Sequence, residues 1–252
     1  MIIEYQRPKS LQEALALLAR QEPPSVPMGG GSILSKSWQE DVAVIDLQHL
    51  ALNTITDAGE KFEIGATATL AQLDHFFADT QLSEVIRYQA GKNLRNVGTL
   101  AGLVASANGR SPLLTLLLGL DASLIWQPGD MEISLGNWLP QRNEWRQARL
   151  ITQVNLPKVS YRFAAVARTP KDVPVVAVAA AKWSNQRLRV AVGGFGAVPV
   201  LALDGKMGDD AAKAVDQAFA YAEDEWAHAA YRCQAAAKLA ARLVAEFAGE
   251  EH

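Results

Sequence analysis

Three consecutive glycines, Gly29, Gly30 and Gly31, follow the short apolar piece Val26-Pro27-Met28 and precede Ser32, and they limit this chain more than any other feature. Glycine is used where the backbone must take positive φ or approach another group closely. Three together, wedged between a short strand and a helix-like turn, expose several N–H groups at once. Such a nest suits a pyrophosphate, with the Ser32 hydroxyl as a further donor. Taken alone, the same residues make a tight strand-to-helix turn with no ligand. A second glycine turn, Gly98-Thr99-Leu100-Ala101-Gly102, lies well downstream. Two such turns in adjacent α/β units can face one extended dinucleotide. The Gly-x-Gly-x-x-Gly fingerprint does not describe them, because no acidic residue ends a following strand at the expected place.

Around these turns the pattern alternates strand and helix. Ser10 and Glu13 form a capping box for a helix over Leu11–Ala19, with Leu11, Leu15 and Leu18 on one face. Val42–Leu47 reads as a buried strand, in which Asp46 ends the strand or satisfies backbone donors. Asp57-Ala58-Gly59-Glu60 joins two strands as a hairpin, and Thr69 opens a helix over Leu70–Phe77. Ser111-Pro112 caps the apolar helix Leu113–Leu120, and strands follow at Ser123–Trp126 and Leu150–Leu156. Phe163–Arg168, Val175–Trp183 and Leu188–Val192 read as three further strands. Alanine-rich helices over Asp210–Ala220 and Ala227–Phe247 close the chain. The expected fold is α+β: subdomains at 1–50 and 51–158, then a three-stranded sheet with helices at 159–252.

Composition narrows the function. With 252 residues, a net charge of −3 and no basic cluster, nothing points to nucleic acid. The longest apolar run, Leu113–Leu120, is far too short to span a bilayer, so no membrane association is expected. The N-terminus lacks a signal-peptide pattern, and a cytoplasmic location is the expectation. A single cysteine, Cys233, excludes an intrachain disulfide and a cluster held by this chain's own thiolates. The four histidines are not at ligand spacing, so no metal is expected, and no catalytic triad signature is present. Any chemistry is then carried by a cofactor. Trp126, Trp138, Trp145 and Trp183 read as core or interface anchors. Arg110 is either a phosphate partner or a solvated loop residue.

Pro27-Met28-Gly29-Gly30-Gly31-Ser32-Ile33-Leu34 resembles the Ala-Gly-Gly-x-Ser/Thr-Leu-Leu turn of the FAD-binding subunits of molybdenum hydroxylases, the family of the xanthine dehydrogenase flavin domain and the carbon monoxide dehydrogenase medium subunit. Arg95 to Gly98 followed by Thr99-Leu100-Ala101-Gly102 is similar to the family's second turn. Ile64 to Leu70, Leu118 to Ala122 and Val192 to Phe195 resemble three further segments, so the likeness covers nearly the whole chain. The resemblance implies FAD as cofactor. Gly29, Gly30, Gly31, Ser32 and Ile33, flanked by Met28 and Leu34, would hold its phosphates together with Thr99, Leu100, Ala101 and Gly102. Ser106 and Ser111 match further contact positions, Ile151 matches an apolar residue near the isoalloxazine, and Asp172 matches an acidic loop position with a turn role as its alternative. Ala101, Leu103 and Pro112 depart from the family's glycine, asparagine and acid, and Ala164 or Ala165 stands where a lysine is usual. Loss of the acid removes a charge-assisted contact of about 1.5–3 kcal/mol. A short subgroup of the family, similar in length, lacks it too.

The implied role is electron transfer. Partner chains with a molybdenum cofactor and iron–sulfur clusters would pass electrons through FAD to NAD or another acceptor. Two alternatives stand beside it: an assembly or scaffold subunit of the same fold with a degraded flavin site, and a free-standing flavin reductase.

Overall fold

The computed structural model describes residues 1–33, 41–144, 148–170 and 172–249, so Leu34 and Trp145 lie outside the described residues. The chain begins with β1 (Ile2–Gln6), α1 (Leu11–Ala19), β2 (Ser25–Met28) and β3 (Val42–Asp46). Next come β4 (Ile55–Asp57), β5 (Lys61–Gly65), α2 (Leu70–Phe76), α3 (Gln81–Gln89), α4 (Lys92–Val97), α5 (Leu100–Ser106) and α6 (Pro112–Gly119). Then follow β6 (Ser123–Gln127), β7 (Met131–Ser134), α7 (Leu135–Trp138), a 3-10 turn over Leu139–Glu144 and β8 (Leu150–Pro157). The last third holds β9 (Ser160–Val166), β10 (Val176–Lys182), β11 (Arg187–Gly193), β12 (Val200–Lys206), α8 (Ala211–Ala218) and α9 (Ala229–Ala248). These elements gather into two compact units. One is Met1–Ala78, Ala90–Ser106 and Ser123–Leu156; the other is Asp79–Gln89, Ala107–Ala122 and everything from Pro157 on.

In the first unit, β3 lies between β1 and β2 in a parallel three-stranded sheet. It is buried along its whole length, as its branched residues predict. Helix α1 covers it through Ala14 and Leu18, which pack with Ile45, Leu47 and Leu150. Ser10 accepts the Glu13 N–H at 3.1 Å, and the Glu13 carboxylate accepts the Lys9 N–H at 2.8 Å. Asp46 ends β3 fully buried, accepting hydrogen bonds from the Tyr5 hydroxyl, the Arg7 guanidinium and the Gln48 N–H. Burial pushes its carboxyl pKa up, but those three hydrogen bonds outweigh it and hold the group below the usual carboxylate range. A second sheet of the same unit has the order β4-β5-β8-β6-β7. Its β4–β5 hairpin turns at Gly59, φ +82°, where the Asp57 carboxylate accepts the Gly59 N–H. Thr69 and Gln72 close a capping box on α2.

The second unit has an antiparallel sheet, β12-β11-β10-β9. Strand β10 is nearly all small or branched and buried. Its Val176, Val178 and Ala180 pack with Ala236, Ala240 and Leu243 of α9. On the opposite face Ala179 meets α6, where a Cβ added at Gly119 would sit 2.9 Å from the Ala179 Cβ. The expected three-stranded sheet is therefore four-stranded. Pro199 and the glycines of Gly193–Gly196 read as the end of the sheet, whereas they turn the chain into β12, an edge strand whose Asp204 pairs with Arg187 and Arg189. Helix α3, with Leu82, Val85 and Ile86 buried, and the short helices α4 and α5 were not anticipated from the sequence. α4 is a polar six-residue turn that carries no readable period. No helix among the described residues is long and apolar enough to cross a membrane.

Candidate functional site

Strand β2 delivers the first glycine turn. Its last residue is pinned by the Leu47 N–H, which donates to the Met28 carbonyl at 3.0 Å. Beyond that point the N–H groups from Gly29 to Ile33 donate to no acceptor among the described residues. The backbone there is crowded. A Cβ at Gly30 would lie 1.4 Å from the Val97 carbonyl oxygen, and one at Gly29 would lie 2.5 Å from the Thr99 Oγ1. Gly31 has φ +70°, the left-handed region that glycine adopts without strain.

The second turn is built differently. Leu70 N–H donates to Gly98 O and Leu100 N–H to Ala68 O, both at 2.9 Å, while Ala101 N–H donates to Ala66 O at 3.3 Å. Thr99 Oγ1 accepts the Gly102 N–H at 3.2 Å. This turn is thus anchored by its own donors, and it offers a surface rather than a row of free N–H groups. Thr99 is the meeting point, since its hydroxyl crowds both Gly29 and Gly102.

The two turns line one cleft of about 450 Å³ within the first unit. Met28, Gly29, Gly30, Gly31, Ser32 and Ile33 border it on one side, and Thr99, Ala101, Gly102 and Ser106 on another. Ile151 joins them from β8. Leu100 is wholly buried and does not line the cleft. The Ser106 hydroxyl donates back to Gly102 O at 2.6 Å. Ser111 belongs to the second unit, where it caps α6: its hydroxyl donates to Gln89 Oε1 at 2.6 Å and accepts the Leu114 N–H at 3.1 Å.

The remaining wall includes two tryptophans that the sequence marks as core or interface anchors rather than flavin stackers. Trp126 and Trp138, both buried, pack with ring centroids 5.5 Å apart and line the cleft beside Leu47 and Leu150. They are core and cleft wall at once. The Trp138 Nε1 is buried and has no acceptor among the described residues. Ala66 and Thr67 also line the cleft, as do Arg142 and Arg149, which are its charged side chains among the described residues. Ala66 and Thr67 lie inside a segment already marked by resemblance, and Arg149 abuts the β8 strand. Nothing in the sequence marks Arg142. Unspent backbone donors, a turn that admits no Cβ, an aromatic wall and two cations suit an extended anionic ligand with a flat end. No described lining residue offers a carboxylate, imidazole or thiol for acid–base or nucleophilic work, so the ligand itself has to supply reactivity.

Other singled-out residues lie in the second unit. Arg110 donates to the Val173 and Pro174 carbonyls at 3.1 and 3.2 Å and stacks on Trp226. Asp172 accepts the Thr169 N–H, a turn role. Cys233 sits half-buried on α9, and burial pushes its thiol pKa up, the opposite of a reactive thiolate. Arg187 stacks on Trp183.

Residues 1–159 match the family described as the FAD-binding domain in molybdopterin dehydrogenase. Along its full length the chain is 30% identical to the protein YgfM of Escherichia coli K12, of which the match covers 99%. The fold is similar to that of a chain in the quinoline 2-oxidoreductase of Pseudomonas putida 86, with TM-score 0.78, 22% identity, and 98% and 96% of the two chains covered. It is also similar to a chain of the carbon monoxide dehydrogenase of Oligotropha carboxidovorans, with TM-score 0.74, 21% identity and 96% of each chain covered.

Proposed function

Because the chain belongs to the family of FAD-binding domains of molybdopterin dehydrogenases, we propose that it works as the electron-transfer flavin subunit of a multi-subunit molybdenum hydroxylase. Partner chains carry the molybdenum cofactor and the iron–sulfur clusters, and NAD or another acceptor takes the electrons away. The assembly works in the cytoplasm. Bound FAD supplies the junction between one-electron carriers and a two-electron acceptor.

The chain's own residues bind and orient. N–H groups from Gly29 to Ile33 hold the diphosphate, and the Ser32 hydroxyl adds a donor. Thr99, Ala101, Gly102 and Ser106 form the facing surface. Trp126, Trp138, Leu150 and Ile151 exclude water from the ring end. Segments 1–50 and 51–158 supply the walls of the cleft in this reading, and 159–252 is a C-terminal flavoprotein domain. The observation that carries the proposal is that two glycine turns distant in sequence touch at Thr99 and border the same cleft.

The visible absorption of the purified chain, before and after FAD is added and excess removed by gel filtration, tests it. Retained flavin supports the proposal, and a chain that holds none overturns it. One observation favours the scaffold alternative: the Leu100 and Ala101 N–H groups and the Ser111 hydroxyl are committed inside the protein. The same spectrum decides between the two. Co-purification of iron- and molybdenum-containing chains tests the partners.

A further inference from the structure

The charged side chains that line the cleft among the described residues are both cationic. Arg142 and Arg149 line it, and among the described residues no acidic side chain does. Neither arginine is carried by a glycine turn. Arg149 immediately precedes Leu150 and Ile151 on β8, and there Ile151 pairs with Trp126 and Leu150 with Gln127. Arg142 lies in the turn that follows Trp138. Both cations therefore belong to the tryptophan and isoleucine wall, Arg142 half-buried and Arg149 exposed, where an effective dielectric between that of protein and water applies.

Resting on the flavin reading, we propose that Arg149 and Arg142 bias the bound flavin toward its reduced state. Two electrons and one proton convert the neutral oxidised ring to a monoanion. A cation beside the ring interacts with that charge and has little to interact with in the oxidised ring. Only such a difference between the two states can shift their balance. The diphosphate carries the same charge in both states. An arginine acting on it would change affinity for both forms equally and leave the balance alone.

The test uses the full chain loaded with FAD. The reduction potential is read from spectra equilibrated with a reduced viologen dye, and the dissociation constant of oxidised FAD is measured separately. Arg149→Gln is expected to lower the preference for reduced over oxidised flavin about tenfold, a downward shift of about 30 mV for a two-electron couple. Arg142→Gln shifts it in the same direction, and Arg149→Lys, which keeps the charge, stays close to wild type. The shifts shrink in 1 M salt. Potentials unmoved in both glutamine variants overturn the inference, and a weakened affinity for oxidised FAD with an unmoved potential reassigns the arginines to the diphosphate. A wild-type chain that retains no FAD overturns the flavin reading itself, and this inference with it.

Discussion

Replacing Gly30 with alanine places one methyl carbon 1.4 Å from the Val97 carbonyl oxygen and 2.5 Å from its carbon. Real contacts of this kind do not close below 3.0 Å, so the two backbones must part by about 1.6 Å. Neither can yield by a rotamer change. The Val97 carbonyl lies next to Gly98, whose oxygen accepts the Leu70 N–H and ties the segment to α2. Overpacking of this kind costs about 1–3 kcal/mol, and collision with backbone places Gly30→Ala at or above the upper end. Much of the displacement falls on the N–H groups that line the cleft, so FAD affinity falls about 10- to 100-fold, or about 1.4–2.8 kcal/mol. Gly29→Ala is milder, because its Cβ meets side-chain rather than backbone atoms, Thr99 Oγ1 at 2.5 Å, and relief comes from a shift of that buried threonine at the expense of its bond to the Gly102 N–H. Gly59→Ala is the control: φ +82° with open space, hence about 1–2 kcal/mol of strain and unchanged FAD affinity. Thermal unfolding and FAD titration by fluorescence quenching measure both quantities. If Gly30→Ala binds FAD as Gly59→Ala does, the cleft does not depend on this close approach and the reasoning is wrong.

Asp46 has a folded pKa below its ordinary value, so the stability it contributes is complete above the unfolded pKa of about 3.9 and is lost as pH falls through the folded value. Asp46→Asn should remove that acid limb from the unfolding midpoint plotted against pH, and weaken the fold by about 1.5–3 kcal/mol at pH 7. Ser111→Ala should cost about 0.5–2 kcal/mol in urea unfolding through loss of the α6 cap. A loss of FAD affinity beyond that would show a cofactor contact in addition. Trp138→Phe should cost the flavin-free chain about 1–3 kcal/mol through the space left by a buried indole, with no hydrogen bond given up among the described residues. Any much larger drop in FAD affinity, read by titration, would mean that this N–H finds its acceptor on the ligand.

Features written in local chemistry were legible in the sequence. Ser10, Thr69 and Ser111 announce helix starts because a hydroxyl before an apolar run satisfies an otherwise orphaned N–H, and all three do so here. The apolar runs of β3 and β10 read as buried strands for the same reason of composition. The candidate site was legible only in part. Gly30 looks like one more flexible glycine until Val97, 67 positions on, is seen pressing against it. Trp126 and Trp138 read as core because burial is what their size dictates, and only the fold sets these buried rings along a cleft. Ser111 carries two readings. Its hydroxyl reads both as a helix cap and as a matching contact position, and the cap is the use seen in the structure. Strand β12 was hidden by Pro199, a residue that breaks central strands yet is tolerated beside an edge.

The two units are threaded through one another along the chain, with breaks after Ala78, Gln89, Ser106, Ala122 and Leu156. Cutting after any one of those positions leaves at least one unit missing a stretch that only the other piece carries. The stretch up to Leu156 holds the described cleft lining and brings with it α6, whose eight residues are all buried and which packs on the later strands β10 and β11. Released alone, it would expose a leucine-rich helix and precipitate. During synthesis the first unit waits for β8, and α6 waits for β10, so α6 stays uncovered while residues 120–182 are being made.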